Sequence, residues 1–389
     1  MRFSALLAIA LFCALPACKD LASPKAQAQL ATDLPSETTD QILKSVARRG
    51  GPPAERIAGL GLGAAALPAA ALPQGPADGE SSPTARAAAA QAMDSGEPAE
   101  PLPARPGVIE PPASAVVLDG GGAQAAAASA SVHGDVRWDL EPYGAIAAAG
   151  RGELQPMPAA GADVPDLWRD PGGTWVAVGG RARVLLVNNK LRGERQGPFR
   201  LATLVDPLWK GQVAVAAPVG GAALAHFAAL YIAWGEIRMR GWLKGLQDNG
   251  AQRFATDAEV RLAVVQGRAA VGLVGSDEAA KAAAIADVTV VYPDQRTIGT
   301  FIWPTALSRP RNAPHAEQGA LLAEQLADKA TEQQLVAREP GFIPLRPGIP
   351  VPVGVRSAWN LRVVAVEPQQ IVAAIESRRA ELAAWAAQH

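Results

Sequence analysis

Apolar residues in this chain occur in short runs, and the lengths of these runs predict alternating strands and helices. Residues 212–217 form an apolar run of strand length, 218–221 hold the proline and glycines of a tight turn, and the proline-free run 222–234 predicts a helix. A strand that enters a helix through glycines directs the first unpaired helical N–H groups towards one point. Such a point attracts anions, because the positive end of the helix dipole adds to the donor geometry.

The same alternation continues through the second half of the chain. Short apolar runs predict strands at 115–118, 134–138, 269–274, 288–292 and 300–303, and a long strand pair at 174–188 that is interrupted at Gly179 and Gly180. Between and after them, helices are predicted at 143–149, 314–326, 328–337 and 368–387. A capping box formed by Thr256 and Glu259 starts a further helix, which Gly267 ends. Strands alternating with helices predict an α/β fold with mainly parallel sheets.

The first third of the chain differs in composition. No Phe, Tyr or Trp occurs between Cys13 and Arg137, whereas all nine Trp and all three Tyr lie from Trp138 onward. A Pro/Ala-rich sequence without a sustained period cannot bury enough apolar area to offset the entropy of ordering. Apart from one short helix at 38–49, we therefore expect residues 19–113 to form a low-complexity linker, a disordered tether ahead of the folded part.

The first 18 residues have the features of an export signal peptide. Arg2 precedes the apolar run 3–15, which is too short to span a bilayer as a stable anchor. The run ends in Leu15-Pro-Ala-Cys18, which resembles a lipobox, whose cysteine becomes the lipidated first residue of a bacterial lipoprotein. The alternative is cleavage after 26–28, leaving a soluble exported protein. We expect an exported protein, periplasmic or anchored to a membrane through Cys18 and facing the periplasm.

Composition excludes several classes of function. The formal net charge of −1 provides no basic field, so no nucleic-acid partner is expected. The only cysteines are Cys13 and Cys18, so the body of the chain has no disulfide, cysteine metal site or cysteine nucleophile. His226 lies in an apolar helix, which is typical of a packed core residue, and no G-x-S-x-G elbow occurs. We therefore predict neither enzyme activity nor a cofactor.

Several spaced blocks together resemble one protein family. The blocks are DVRWDLEP at 135–142, WVAVGGRARVLLVN at 175–188, DPLWKGQVAV at 206–215, GRAAVGL at 267–273, VYPDQ at 291–295 and IPLRPG at 343–348. Their order and spacing are similar to those of periplasmic solute-binding proteins of ABC importers, in the branch that resembles ferric-iron-binding proteins. The resemblance implies a type II-like, two-lobe α/β fold with hinge strands. Ligand would lie in the cleft between the lobes, which close by hinge motion.

The resemblance also implies an organisation and a role. Residues 114–178 and 296–349 would form the first lobe, truncated at its start, and residues 179–295 and 350–389 would form the second. The protein would be a monomer that carries a small anion or a metal–anion complex, such as one of ferric ion, to an ABC permease and ATPase in the inner membrane. The missing start of the first lobe and the alanines at 222, 223 and 225 favour an alternative, a degenerate homologue that acts as a surface or interaction lipoprotein without a transport ligand.

The anion-binding part of the implied site combines a helix start with an arginine. The backbone of Gly220, Gly221, Ala222 and Ala223 would hold the anion, although relatives of this branch usually carry hydroxyls at the positions of 222, 223 and 225. Arg181 is the family's usual arginine on the strand after the Gly-rich hinge. Arg183 lies two residues further along the same strand face, so either guanidinium could line the cleft; the alternative for each is a surface ion pair.

The cation-binding part would come from strand ends. Asp277 and Glu278 stand where ferric binders carry adjacent tyrosines, and with Tyr292 they are the candidate metal ligands, although a single phenol with carboxylates suits a trivalent cation less well. The alternative is that Asp277 and Glu278 form a helix cap and first-turn acid. Asp139 and Glu141 end the predicted first-lobe strand, where open α/β sheets bind ligands. We expect Asp139 to contact the ligand.

Overall fold

The computed structural model describes residues 27–58 and 134–388. Its strands are β1 Ala28–Thr32, β2 Ala54–Ala58, β3 Val136–Asp139, β4 Trp175–Val176, β5 Gly180–Asn188, β6 Val213–Ala216, β7 Gln252–Phe254, β8 Val271–Gly275, β9 Val288–Val291, β10 Ile302–Pro304, β11 Ala306–Ser308 and β12 Phe342–Ile343. The export signal, Cys18 and the strand predicted at 115–118 lie outside the described residues.

The helices largely follow the predicted ones. They are α1 Ser36–Arg48, α2 Tyr143–Gly150, α3 Asn189–Arg192, α4 Gly221–Trp234, α5 Glu236–Asp248, α6 Asp257–Val265, α7 Ser276–Ala283, α8 Ala316–Leu326, α9 Lys329–Arg338 and α10 Pro368–Ala386. The capping box of Thr256 and Glu259 starts α6 as predicted. Within the described residues, no helix is long and apolar enough to cross a membrane.

The first sheet has five strands in the order β2-β1-β3-β11-β4. β1 lies parallel to both β2 and β3, with Leu30 opposite Arg56 on one side and Val136 on the other. β11 then runs antiparallel to β3 and to β4. The apolar side chains of β1 and β3 are buried in the main core, together with Ile42 and Val46 of α1.

The second sheet is built around the long strand β5. The path β10-β5-β8-β6-β7 runs through it, and β9 and β12 pair with β5 as well. The start of β5 pairs with β10 and β12, and its remainder pairs with β8 and β9. β5 is buried over most of its length because it has neighbours on both edges, which explains its nearly continuous run of apolar residues.

Two segments cross between the sheets side by side. Residues 177–179 connect β4 of the first sheet to β5 of the second, and Thr305 connects β10 to β11 in the opposite direction. The Thr305 hydroxyl donates to the Val178 carbonyl over 2.8 Å and accepts from the Trp138 indole N–H over 3.1 Å and the Val178 N–H over 3.3 Å. The crossings are therefore hydrogen-bonded to each other.

The linker predicted over residues 19–113 is wrong for residues 28–58. These residues supply β1, α1 and β2, and α1 replaces the isolated helix predicted at 38–49. They form the start of the first lobe, which therefore is not truncated there. The composition of this segment did not predict these elements because β1 is short and lacks aromatic residues. The burial of β1 comes from pairing with β3, which lies more than a hundred positions away in the chain. Residues 59–113 lie outside the described residues.

The sheets are mixed rather than mainly parallel. Four strand pairs are parallel, β1–β2, β1–β3, β6–β7 and β6–β8. The antiparallel pairs all involve the crossing strands β5 and β11, because a strand that returns from the other lobe enters its sheet from the opposite end. β10 and β12, from the segment predicted as first lobe, pair with β5 of the second sheet.

The C-terminal helix α10 packs against both lobes. Its first half contacts α2, where Val372 joins a small core with Ile146 and Trp175. Its last turns pack on α4 and α5, where the Trp385 indole N–H donates to the Leu243 carbonyl over 2.9 Å. One continuous helix thus takes part in the cores of both lobes.

Candidate functional site

The predicted site residues of the second lobe meet at one edge of its sheet. β6 and β8 are parallel, so their carboxyl ends lie at the same edge. β5 is antiparallel to β8, and its Arg183 lies opposite Gly275, so the start of β5 lies at this edge as well. The edge therefore brings Arg181 and Arg183 close to the starts of α4 and α7.

The start of α4 has the geometry predicted for an anion-binding turn. The cap residue Gly220 is extended and no side chain caps the helix. Gly221 has a φ of 55°, in the left-handed region that favours glycine, and the turn is only half-buried there. Ala222 and Ala223 follow without hydroxyls, so only backbone N–H groups are available as donors at this helix start.

Arg181 lies between carboxylates of the two lobes. Its guanidinium donates to Glu141, which follows β3 of the first lobe, and its Nη1 lies 3.6 Å from Asp277 of α7. The side chains of Glu141, Arg181 and Asp277 retain 14%, 16% and 21% of their exposure, so a small molecule in the cleft can reach them. We call these three residues the Arg181 cluster.

The Arg181 cluster is electrostatically coupled. Burial acts to lower the pKa of Arg181, but the Glu141 and Asp277 carboxylates more than offset it, and the pKa is raised. Burial raises the pKa of Glu141, although the charge of Arg181 and its hydrogen bond act in the opposite direction. Asp33, which follows β1 and accepts from the Leu140 N–H over 2.7 Å, adds a further negative charge that raises the pKa of Glu141.

Arg183, unlike Arg181, is buried in the core and has a structural role. Its side chain is 1% exposed, donates to Asp257 at the start of α6, and donates to the Leu273 carbonyl over 3.2 Å. Asp257 also accepts from the Gly275 N–H over 3.1 Å, so the ion pair ties β5 to the end of β8. Of the two arginines considered from the sequence, only Arg181 is accessible from the cleft.

His226 lies behind Arg183 in the core, as the sequence predicted. Its ring stacks on Phe301 with centroids 5.1 Å apart and is 1% exposed. Burial, with a smaller effect of the Arg183 charge, holds the pKa of His226 well below its ordinary value. The neutral imidazole therefore belongs to the packing beneath the start of α4.

The structure pairs Asp139 with a neighbouring arginine. Arg137 Nη2 donates to both carboxylate oxygens of Asp139, over 2.9 and 2.8 Å, and both side chains are almost fully buried. Burial raises the pKa of Asp139 from 3.8 to about 6, against the effect of Arg137, and Asp33 raises it further. Contact between Asp139 and a ligand stays a prediction, and it requires that the pair with Arg137 open.

Glu278 and Tyr292 are placed apart from the Arg181 cluster. Glu278 accepts from Arg261 over 2.7 Å and from Lys281 over 2.5 Å, which makes it a first-turn acid of α7 with both oxygens engaged. The Tyr292 hydroxyl accepts from the Arg356 N–H over 3.3 Å, and burial raises its pKa. In the part of the chain that the structure describes, no group of three or more His, Cys, Asp or Glu residues is arranged to hold a metal ion.

Three further residues, Ser276, Gly341 and Asp257, hold the elements of the site together, and sequence reasoning did not identify their roles. The Ser276 hydroxyl donates to the Gly341 carbonyl over 2.6 Å and accepts from the Ala182 N–H over 3.0 Å. A Cβ at Gly341 would come within 2.1 Å of the Ser276 carbonyl oxygen, so only glycine permits this approach. Asp257 was visible in the sequence only as a residue of a helix start, because its partner Arg183 lies far away in the chain.

Comparison with known proteins identifies a matching family and similar proteins. A family model described as bacterial extracellular solute-binding protein matches residues 148–351. Iron uptake protein A1 of Synechocystis sp. is 27% identical over 206 residues, which span 50% of this chain and 56% of that protein. The match therefore spans little more than half the length of this relative.

Solved structures share the fold over nearly the whole chain. Iron-bound HitA from Pseudomonas aeruginosa superposes with a TM-score of 0.64 at 16% identity, covering 92% of this chain and 99% of that chain. AfuA from Actinobacillus pleuropneumoniae, with fructose-6-phosphate bound, gives a TM-score of 0.62 at 14% identity, covering 92% of this chain and 97% of that chain. At these identities the likeness establishes the fold alone, and it confirms the predicted two-lobe α/β architecture.

Proposed function

Because the chain belongs to the bacterial extracellular solute-binding protein family, we propose that it is the exported binding component of an ABC importer. It captures a small oxyanion, free or as part of a metal–anion complex, between its lobes and delivers it to a permease and ATPase in the inner membrane. Export through the signal at 1–18 and anchoring through Cys18 belong to the same proposal.

The observation that carries this proposal is the position of Arg181. It lies at the start of β5, next to the segment that crosses between lobes, and its cluster contains one carboxylate from each lobe. The uncapped start of α4 lies at the same sheet edge and adds backbone N–H donors. A guanidinium and a helix start at the same sheet edge, in a cleft between two lobes, are suited to bind an oxyanion.

An oxyanion-bearing cargo fits the donor set better than a bare ferric ion. The acids near the cleft are already paired, Asp139 with Arg137, Glu141 with Arg181, and Glu278 with Arg261 and Lys281. Tyr292 has no second tyrosine beside it in the sequence, and its hydroxyl already accepts a hydrogen bond from the Arg356 N–H. The iron named for Iron uptake protein A1 is therefore proposed here only as part of a complex with an anion.

The degenerate-homologue alternative loses its main support. It rested on a missing start of the first lobe, and β1, α1 and β2 supply that start. The alanines at 222 and 223 leave the backbone donors of α4 in place.

A calorimetric and thermal-shift screen tests the proposal with ferric citrate, citrate, phosphate and sulfate as probes. A cargo at a hundredfold excess over its Kd should stabilise the protein by about 2.7 kcal/mol. Arg181→Gln should abolish the shift. The matched control Arg169→Gln, in an exposed pair with Asp166, should retain it. The proposal is rejected if the folded protein responds to none of the probes, or if Arg181→Gln responds like the wild type.

A further inference from the structure

The ion pair of Arg181 and Glu141 uses only part of the hydrogen-bonding capacity of each side chain. Arg181 donates through Nη2 to Glu141 Oε1 and, over 3.4 Å, to the Leu140 carbonyl. Arg181 Nε is buried and has no hydrogen-bond partner within the described residues, and the buried Glu141 Oε2 makes no hydrogen bond to Arg181. The two side chains are therefore joined by a single hydrogen bond, whereas a guanidinium binds a carboxylate or phosphate best through two parallel hydrogen bonds.

The second acid of the cluster does not complete the pairing. Asp277 lies 3.6 Å from Arg181 Nη1, which is an ion-pair distance but longer than a charge-assisted hydrogen bond. Each buried polar atom left without a partner disfavours the arrangement that contains it. An oxyanion that offers two oxygens to Arg181 would therefore make a better partner than either carboxylate of the protein.

We propose that Glu141 is a specificity-determining residue, an internal carboxylate that competes with the oxyanion of the cargo for Arg181. The inference rests on the proposed function. A cargo gains the hydrogen bonds of Arg181 only by separating it from Glu141, so a partner with strong two-oxygen binding exceeds this cost, whereas a weaker partner leaves the pair closed and gains nothing from Arg181. The site then favours a polycarboxylate or a phosphate over a monodentate anion or a neutral solute.

Displacement of Glu141 has a consequence that can be measured separately. The charged groups that face Glu141 are Arg181 on β5 and Asp33 after β1, and a hydrogen bond from the Trp303 indole on β10 acts to lower the pKa of Glu141. When Arg181 turns to the cargo, Glu141 keeps its burial and the repulsion of Asp33 but loses its counter-charge. The carboxylate then takes a proton from the buffer, so oxyanion binding is coupled to proton uptake.

Calorimetric titration of citrate, phosphate and acetate into the wild type and Glu141→Gln tests the inference. The amide keeps the shape of Glu141 and removes its charge, so citrate should bind the variant about tenfold more tightly, which is within the usual range of coupling between two sites. The matched control is Glu153→Gln in the exposed pair with Arg151, which should bind like the wild type. Repeating the titration in two buffers of different ionisation enthalpy should show proton uptake in the wild type and its loss in Glu141→Gln.

Each outcome decides between the two proposals. Equal or weaker citrate binding by Glu141→Gln overturns the competition and leaves the proposed function standing. If the wild type, Glu141→Gln and the control all bind neither citrate nor phosphate, the competition is overturned, and the proposed function is rejected as well if ferric citrate and sulfate also fail to bind. Asp277→Asn provides a second variant if Glu141→Gln does not fold, and it should tighten citrate binding by roughly threefold, because its carboxylate lies further from Arg181.

Discussion

Replacing Thr305 with valine should destabilise the junction between the lobes, because valine keeps the shape of threonine and removes its hydroxyl. That hydroxyl is fully buried and makes three hydrogen bonds, two with the Val178 backbone and one with the Trp138 indole. Water cannot replace a partner at a position with no exposure, so each group stays unpaired in the variant.

The magnitude follows from counting the groups left without a partner. The Val178 N–H, the Val178 carbonyl and the Trp138 indole N–H each lose the hydroxyl. A buried polar group without a partner costs about 1–3 kcal/mol. The lower end of that range predicts that Thr305→Val lowers the free energy of unfolding by about 3 kcal/mol.

Urea unfolding followed by tryptophan fluorescence measures this loss, with Thr305→Ser as the control. Serine keeps the hydroxyl and loses one methyl group, so its cost should be about 1 kcal/mol. The reasoning is refuted if valine costs less than 1 kcal/mol, or if serine costs as much as valine. The second result would mean that methyl packing, and not the hydrogen bonds, holds the crossing segments together.

Two further predictions concern pH. Burial raises the pKa of Asp139 from 3.8 to about 6, so the contribution of Asp139 to stability is complete below pH 3.8 and is lost as the pH rises through 6. Relative to Asp139→Asn, the wild type should lose about 3 kcal/mol of unfolding free energy between pH 3.5 and 7.5. A constant difference between the two proteins over this range would contradict the prediction. Burial lowers the pKa of His226 below its ordinary 6.5, so its contribution is present above pH 6.5 and is lost as the pH falls. Relative to His226→Phe, which keeps the stacking on Phe301, the wild type should lose stability in urea melts as the pH falls below 6.5, whereas a parallel response of the two proteins would mean that the imidazole is solvated.

Local pattern was sufficient for several elements of the second lobe, although it missed the helix α5, and it was insufficient for the start of the first lobe. The run that becomes β6 and α4, the interruption before β5 and the capping box of α6 are encoded within short windows, so the sequence predicted them well. β1 and β2 depend on each other and on β3 across a long stretch of chain, and no window contains that information. The direction of the crossing strands β5 and β11 was missed for the same reason.

The candidate site shows the same division. The family resemblance identified Arg181 on the strand after the Gly-rich hinge, the start of α4 and Asp277 follow predicted strands, and the structure brings them to one sheet edge. Which carboxylate faces which guanidinium depends on the packing of the two lobes, so the partner of Arg181 could not be predicted. Arg183 and Arg181 were equivalent in the sequence, and only the burial of Arg183 against Asp257 separates them.

The helix α10 restricts how the two lobes can move. A helix embedded in the cores of both lobes, together with two crossing segments bonded through Thr305, opposes sliding and twisting of one lobe against the other. We expect that a hinge closure restricted in this way has few open arrangements, so that closure on a cargo loses little conformational entropy. Much of the affinity can then come from the contacts themselves, which helps a site with only a few donors to bind tightly.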